Sequence, residues 1–375
     1  MGVVDIAMEL IRINTEGPPG NEEPCARYIR DLMEDMGLLA EVQGVAPNRA
    51  NAIGKLGVGK GPGLLLSGHI DVVPAGDLER WTVTGPFDPV VKEGKLYGRG
   101  AADMKGPDAC ILQAVKNLYG ERFKRQLTLV FTAGEEFAGF DGARKVMEEG
   151  KVTPGEARYG IVGEPTELKL IRAHKGTAGF SITFWGRSAH GSTPHLGVNA
   201  VEKAVDFILA LRRLKEDLAQ TRDELLGITT MSLNLIKGGV KSNIVPESCS
   251  ITIDCRRIPQ QPTEMIYGRV KELIQALAEK DKEFKATFKP RPGFPPLYIP
   301  AESEIVKVLE EMIGEKAIGI AYMTEAVVYT EGGIPTVVLG PGSIAQAHTA
   351  NEFITLKQLE RGVKIYEDII RRFCL

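Results

Sequence analysis

Residues 67–74 read Ser67-Gly68-His69-Ile70-Asp71-Val72-Val73-Pro74. The apolar run Leu64-Leu65-Leu66 just ahead of them predicts a buried strand. His69 and Asp71 then fall at its end, two residues apart. If the extended conformation continues, both side chains point to the same side. Asp71 would take one ring N–H of His69 and leave the other nitrogen for a metal, the support that metal-bound histidines usually have. A surface His–Asp pair at a strand end fits these residues equally well, so the rest of the chain has to decide.

Working outward, Val3–Ile13 and Glu23–Met36 predict helices, with Gly37 as a C-cap. Ala40–Val45 and Ala52–Leu56 predict strands. The glycine-rich stretch Gly57–Gly63 holds Gly59-Lys60, but Gly61 stands where a phosphate loop needs Ser or Thr, so it is expected to be a hairpin turn. A helix over Pro107–Leu118, a strand over Gln126–Thr132, a helix over Gly139–Glu149 and a strand over Tyr159–Gly163 follow. The chain closes with a strand over Thr336–Leu339 and a helix over Leu356–Phe373. This alternation predicts an α/β fold with a mostly parallel, helix-flanked sheet over residues 1–175 and 288–375. Between them the pattern changes. Thr177–Trp185, Thr229–Ile236 and Ser248–Cys255 alternate apolar and polar residues, as antiparallel strands with one wet face do. With helices over Val198–Asp217 and Glu264–Lys280, residues 176–287 predict an inserted α+β domain.

Composition narrows the function classes. The 375 residues are 43% hydrophobic and 25% charged, with a net charge of −3 and no basic stripe, which argues against a nucleic-acid partner. No apolar run reaches the ~18 residues of a membrane span. Met1–Ile13 lacks the basic start, apolar core and cleavage site of a secretory signal. The five cysteines, Cys25, Cys110, Cys249, Cys255 and Cys374, show no CxxC spacing, so a reducing cytoplasm is expected and a thiolate zinc site is not.

The metal-competent residues cluster at strand ends. His69 follows one predicted strand, Glu135 and Glu136 a second, Glu164 a third, and His348 lies in the loop after a fourth. In open α/β sheets, ligands bind at the carboxyl ends of strands. Asp103 adds a carboxylate from the glycine-rich loop before a helix. Nitrogen and oxygen donors in this combination suit zinc, cobalt or manganese. Singly, the acidic pair reads as a solvated surface pair, Asp103 as a helix N-cap, Glu164 as a turn residue and His348 as a loop histidine. Jointly they read as a site.

The segments GHIDVVP, GRGAADMKG, TAGEE, GEPT, SAHGSTPHLGVNA and GPGSIAQAHTANE occur in this order over nearly the whole chain. In this it resembles the zinc-dependent acetylornithine deacetylase / succinyl-diaminopimelate desuccinylase family, whose relatives include aminoacylases and glutamate carboxypeptidases. The resemblance implies a catalytic domain with an inserted lid or dimerisation domain. It implies His69 and Glu164 on one metal ion, Glu136 and His348 on the other, and Asp103 bridging them, followed by a cis peptide. Glu135 would be the catalytic base, and Asp71 would orient His69. A water activated between the two ions would attack the amide carbonyl. His190 would stabilise the oxyanion from the other subunit of a homodimer; His195 is the competing candidate. Arg256, Asn243 and Lys175 would contact the substrate, against bland readings of a surface salt bridge for Arg256 and a turn residue for Asn243. The stretch Met323-Thr324-Glu325-Ala326 is similar to the acetylornithine deacetylase version of the family rather than to desuccinylases. The implied substrate is a small N-acyl amino acid. Desuccinylation, or cleavage of short peptides by a carboxypeptidase or dipeptidase, remains the alternative.

Overall fold

A computed structural model of the chain describes residues 1–375, the side chain of Ala138 excepted. The chain forms two units. The first comprises Met1–Arg172, Ile299–Ile318 and Thr324–Leu375, and the second Ala173–Tyr298 and Gly319–Met323.

The first unit is built on a mixed sheet. Its strands run in the order Leu39–Ala46, Arg49–Leu56, Leu127–Thr132, Gly63–His69, Ala157–Val162 and Thr336–Val338. The last four are mutually parallel and the first two antiparallel. Gly63–His69 is buried at every residue, as an apolar run covered on both faces must be. Helices Val3–Arg12, Lys105–Asn117 and Leu356–Cys374 pack on one another, the latter two against this strand. Lys105–Asn117 comes so close that a Cβ on Gly68 would lie 2.0 Å from Asp108 Oδ1. Glycine in SGH is therefore a packing requirement, set two residues from the end of the strand's apolar run.

The glycine-rich stretch 57–63 is not a hairpin turn. Arg49–Leu56 and Gly63–His69 do not pair with each other; Leu127–Thr132 lies between them and pairs with both. A strand arriving through the crossover helix took the central place, a choice made by sheet-wide packing and invisible in the turn itself.

The second unit is an antiparallel sheet in the order Thr230–Gly238, Ser248–Arg257, Phe180–Trp185 and Lys285–Pro290. Phe180–Trp185 alternates buried and half-exposed residues. Its inward face meets helices Ala200–Leu218 and Thr263–Lys280 in a core that includes Phe180, Ile182, Phe184, Phe207, Leu211 and Ile251. The Asn199 side chain accepts the Val201 N–H, which sets the start of the first of these helices at Ala200. The strand Lys285–Pro290 pairs along the whole of Phe180–Trp185, so this sheet continues past residue 287.

Phe207 is fully buried, its ring centroid 5.5 Å from that of Phe184. Phe207→Ala is expected to cost the second unit about 3–5 kcal/mol. Denaturant unfolding followed by the fluorescence of Trp185 in a Trp81→Phe background measures it.

Candidate metal centre

Four parallel strands deliver their carboxyl ends to one edge of the first unit's sheet, and the predicted metal ligands and Glu135 stand at that edge. His69 is the last residue of its strand. Glu135 and Glu136 open the short helix Glu135–Ala138, which follows Leu127–Thr132 through Gly134, held at φ 82° where an L side chain is strained. Glu164 comes two residues after Ala157–Val162, and His348 lies in the loop after Thr336–Val338. Asp103 sits just before helix Lys105–Asn117, and its peptide bond to Met104 is cis.

These side chains converge. His69 Nε2 is 3.0 Å from Asp103 Oδ1 and 3.8 Å from Glu164 Oε1. His348 Nε2 is 3.3 Å from Asp103 Oδ2 and 3.0 Å from Glu136 Oε1. The two oxygens of one carboxylate thus face two different imidazoles, each with a second carboxylate beside it. Tetrahedral ligands at the usual zinc distances stand about 3.4 Å apart, and the four imidazole–carboxylate separations, 3.0, 3.8, 3.3 and 3.0 Å, lie near that value. Ligand atoms of His69, Asp103 and Glu136, and of His69, Glu135 and Glu164, lie within 4.8 Å of one another. The donor set fits a pair of divalent cations sharing Asp103.

Electrostatics point the same way. Burial raises the Glu164 carboxyl well above the usual range, and the Asp103 charge adds to it. Burial and the Glu164 charge do the same for Glu135. Burial opposes ionisation of Asp103 as well, but hydrogen bonds with His348 and His69 hold it well below the usual carboxylate range. Hydrogen bonds to Asp103 and Glu136 push His348 up to about 10. The carboxylates draw positive charge from whatever can supply it.

Asp71 supports this edge differently from the expectation. His69 Nδ1 donates to the Asp71 main-chain carbonyl at 3.0 Å, while the nearer carboxylate oxygen is 3.6 Å away. That fixes the proton on Nδ1 and leaves Nε2 facing Asp103. The Asp71 carboxylate accepts the N–H groups of Glu135 and Glu136 at 3.1 and 2.9 Å, and so anchors the acidic pair. Glu325 is a supporting group that sequence pattern did not reveal. Fully buried, it accepts from Ser67 Oγ at 2.7 Å and Thr132 Oγ1 at 2.6 Å, tying together the two strands that lead to His69 and Glu135. Its partners lie more than 190 positions away, so no local signal marks it.

The remaining predicted residues belong to the second unit. His190 is exposed, and its Nδ1 accepts from the Ser192 N–H at 3.2 Å, which puts the ring proton on Nε2. Asn243 offers its carbonyl to the Gly191 N–H at 2.8 Å, holding its loop beside that of His190. Arg256 pairs with Asp254 at 2.9 Å, the salt-bridge arrangement. Lys175 donates to the Ile228 carbonyl at 2.6 Å. His195 is exposed in the turn Pro194–Leu196, and His174 is buried.

The site is a set of metal-competent donors, and comparison with known proteins makes the chain a metal-dependent hydrolase of amides. Residues 65–372 match the model of peptidase family M20/M25/M40, and the chain belongs to this family. An acetylornithine deacetylase of Proteus mirabilis is 35% identical over 363 residues, covering 95% of this chain and 91% of that protein. The crystal structure of aminopeptidase PepT from Bacillus cereus superposes with a TM-score of 0.79 at 22% identity, covering 98% and 97% of the two chains. That of the Bacillus subtilis YXEP protein, described as a dinuclear metal binding peptidase of the M20 family, gives 0.72 at 16% identity, covering 98% and 96%.

Asp71→Ala removes the acceptor of two adjacent main-chain N–H groups. Denaturant unfolding in the presence of a chelator is expected to show a loss of about 2–4 kcal/mol.

Proposed function

We propose that the chain removes the acyl group from a small N-acyl amino acid, as an acetylornithine deacetylase does, working as a cytoplasmic homodimer with two zinc ions that cobalt or manganese can replace. The observation that carries this reading is that the two oxygens of Asp103 face His69 and His348, with Glu135, Glu136 and Glu164 beside them, in a chain 35% identical to an acetylornithine deacetylase over 95% of its length. The five cysteines are all free and buried, which suits a reducing compartment.

His69, Glu164 and one oxygen of Asp103 would hold one ion, and His348, Glu136 and the other oxygen the second. When bound, the two ions supply an activated water and polarise the scissile carbonyl. Glu135 is assigned as the base by the family resemblance, and its carboxylate lies within 4.8 Å of ligand atoms of His69 and Glu164. Its carboxylate takes the proton of the attacking water and returns it to the departing amine, so one group serves as base and then as acid. Asp71 keeps Glu135 in place through its main-chain N–H, and it holds the tautomer of His69 through its carbonyl. The oxyanion needs a donor, and His190, with its proton fixed on Nε2, is proposed to supply it to the partner subunit's reaction centre. Arg256, Asn243 and Lys175 are proposed as substrate contacts. For Arg256 and Lys175 this requires exchange of their present partners, Asp254 and the Ile228 carbonyl, for the ligand.

The reading is tested with the zinc-loaded protein on N-acetylornithine, N-succinyl-diaminopimelate, simple N-acetyl amino acids and dipeptides, with a chelator control. The expected result is chelator-sensitive cleavage that favours N-acetyl amino acids; a preference for dipeptides would overturn the deacylase assignment. Glu135→Gln is expected to keep its metal content and to lower turnover about 100–10,000-fold. Mixing Glu135→Gln and His190→Ala chains separates action across subunits from action within one. Random reassortment puts one intact centre in about half of the dimers, recovering about a quarter of wild-type activity. Action within one subunit recovers none.

A further inference from the structure

A buried ion pair stands behind the metal centre and takes no part in the chemistry above. Arg99 and Glu352 are 2% and 1% exposed, and Arg99 Nη1 donates to Glu352 Oε2 at 2.7 Å. The Glu352 carboxylate also accepts three main-chain N–H groups, from Gly100 at 3.1 Å, Ala102 at 2.8 Å and Asp103 at 3.0 Å. A carboxylate offers about four acceptor positions, so four donors saturate it. One of the four is the amide of the residue whose two oxygens face both imidazoles.

The guanidinium reaches further. Arg99 Nη1 also donates to the Thr349 carbonyl at 3.2 Å, and Nη2 to the Pro74 carbonyl at 3.2 Å. Pro74 lies five residues after His69, and Thr349 directly follows His348. Glu352 is itself four residues from His348. One ion pair thus ties three segments to each other, and each of them carries a candidate ligand. A solvated loop needs no such pair, since desolvating two charges is costly and is offset only by close geometry and full hydrogen bonding. The geometry is close and the Glu352 carboxylate is fully bonded, while on Arg99 both terminal nitrogens are bonded and Nε is left without a partner among the described residues.

We propose that Arg99 and Glu352 are positioning residues which hold Asp103 and His348 at the separation needed for the second cation. The two ion positions are unequally dependent on them. His69 ends a strand and Glu164 comes two residues after one, so the rigid sheet holds that half. His348 lies in a loop with its side chain 52% exposed, joined to the Asp103 loop by the ion pair and by the Gly98 N–H, which donates to the Glu352 carbonyl at 3.0 Å. Weakening the pair should therefore loosen the position formed by Asp103 Oδ2, Glu136 and His348 and spare the other. This rests on the reading of these five residues as the ligands of two ions.

Glu352→Gln keeps the shape but turns an N–H₂ group toward donors. The test is equilibrium dialysis of the metal-stripped full-length protein against graded Zn²⁺, with bound metal measured by elemental analysis and folding checked by thermal melting in chelator. Wild type is expected to bind two equivalents. Glu352→Gln should keep one equivalent at wild-type affinity and bind the other about 10–100-fold more weakly. Leu10→Ala, a cavity variant in the core of the same unit, controls for stability loss and should keep both affinities. If Glu352→Gln lowers the melting temperature as Leu10→Ala does while both zinc affinities stay at wild type, the pair is only structural and the proposal falls. Should Glu352→Gln not yield folded protein, Arg99→Lys, which keeps the charge and loses the fork, is read the same way. If wild type binds fewer than two equivalents, or Asp103→Asn still binds both, the ligand assignment itself fails and takes the proposal with it. Two equivalents in wild type with undiminished binding by both pair variants would overturn the proposal alone.

Discussion

The Asp103 carboxylate is held from three sides. One oxygen faces His69, the other faces His348, and the residue's own amide is bound by Glu352. Around it, Glu135, Glu136 and Glu164 add negative charge in a space largely closed to water. Like charges this close oppose one another, and burial opposes each of them singly. Such a cluster persists only if the scaffold is rigid and positive charge is at hand. The parallel strands give part of the rigidity, because His69 ends one that is hydrogen-bonded on both sides and Glu164 follows another by two residues. The imidazoles give part of the charge, and a pair of divalent cations would give the rest. The features that read as unfavourable for an isolated fold are those that make the edge a strong cation site.

Main-chain amides are the recurring device behind the ligands. Asp71 accepts the amides of Glu135 and Glu136, and Glu352 those of Gly100, Ala102 and Asp103. In both cases a buried carboxylate outside the candidate ligand set fixes the backbone from which a ligand projects. Fixing the backbone constrains position with no added side-chain freedom. It also explains why the edge tolerates an exposed loop at His348: the loop's far end is anchored at Glu352, four residues on.

The sheet and the convergence of ligands were legible in the sequence for a simple reason. Leu64–Leu66 is an unbroken apolar run and Gln126–Thr132 and Tyr159–Gly163 are mostly apolar, which signals strands buried on both faces, and the chemistry-bearing residues stand within four residues after them. Period-two alternation likewise exposed the antiparallel sheet of the second unit. Pairing was less legible. Stretch 57–63 has hairpin composition, yet the strands flanking it are separated by one that enters from far along the chain. The role of Asp103 came through resemblance, since a lone aspartate before a helix reads as a cap. Arg99, Glu325 and Glu352 read as ordinary charged residues because the Arg99–Glu352 pairing, the bonds of Glu325 to the Ser67 and Thr132 hydroxyls and those of Glu352 to its amides span 193 or more positions. Buried charge networks are set by tertiary proximity, and no local period encodes that.

Core chemistry and substrate choice are carried by different parts of the chain. The donor triads and Glu135 would cleave any suitably placed amide, so they define a hydrolase and leave the acyl group open. That is consistent with a fold shared by peptidases at 22% and 16% identity and by a deacetylase at 35%. Discrimination between an N-acyl amino acid and a dipeptide must come from groups that contact what lies beyond the scissile bond. Charged groups that are already paired, as Arg256 is with Asp254, can discriminate only by exchanging partners. A substrate carboxylate that displaces Asp254 gains a charge-assisted bond and leaves Asp254, 36% exposed, to be hydrated. A ligand lacking that carboxylate gains nothing and leaves the pair closed. If Arg256, 37% exposed, contacts substrate, it would select for a carboxylate that N-acyl amino acids and dipeptides share, so the choice between them must come from contacts on the acyl side, where only the dipeptide carries an ammonium.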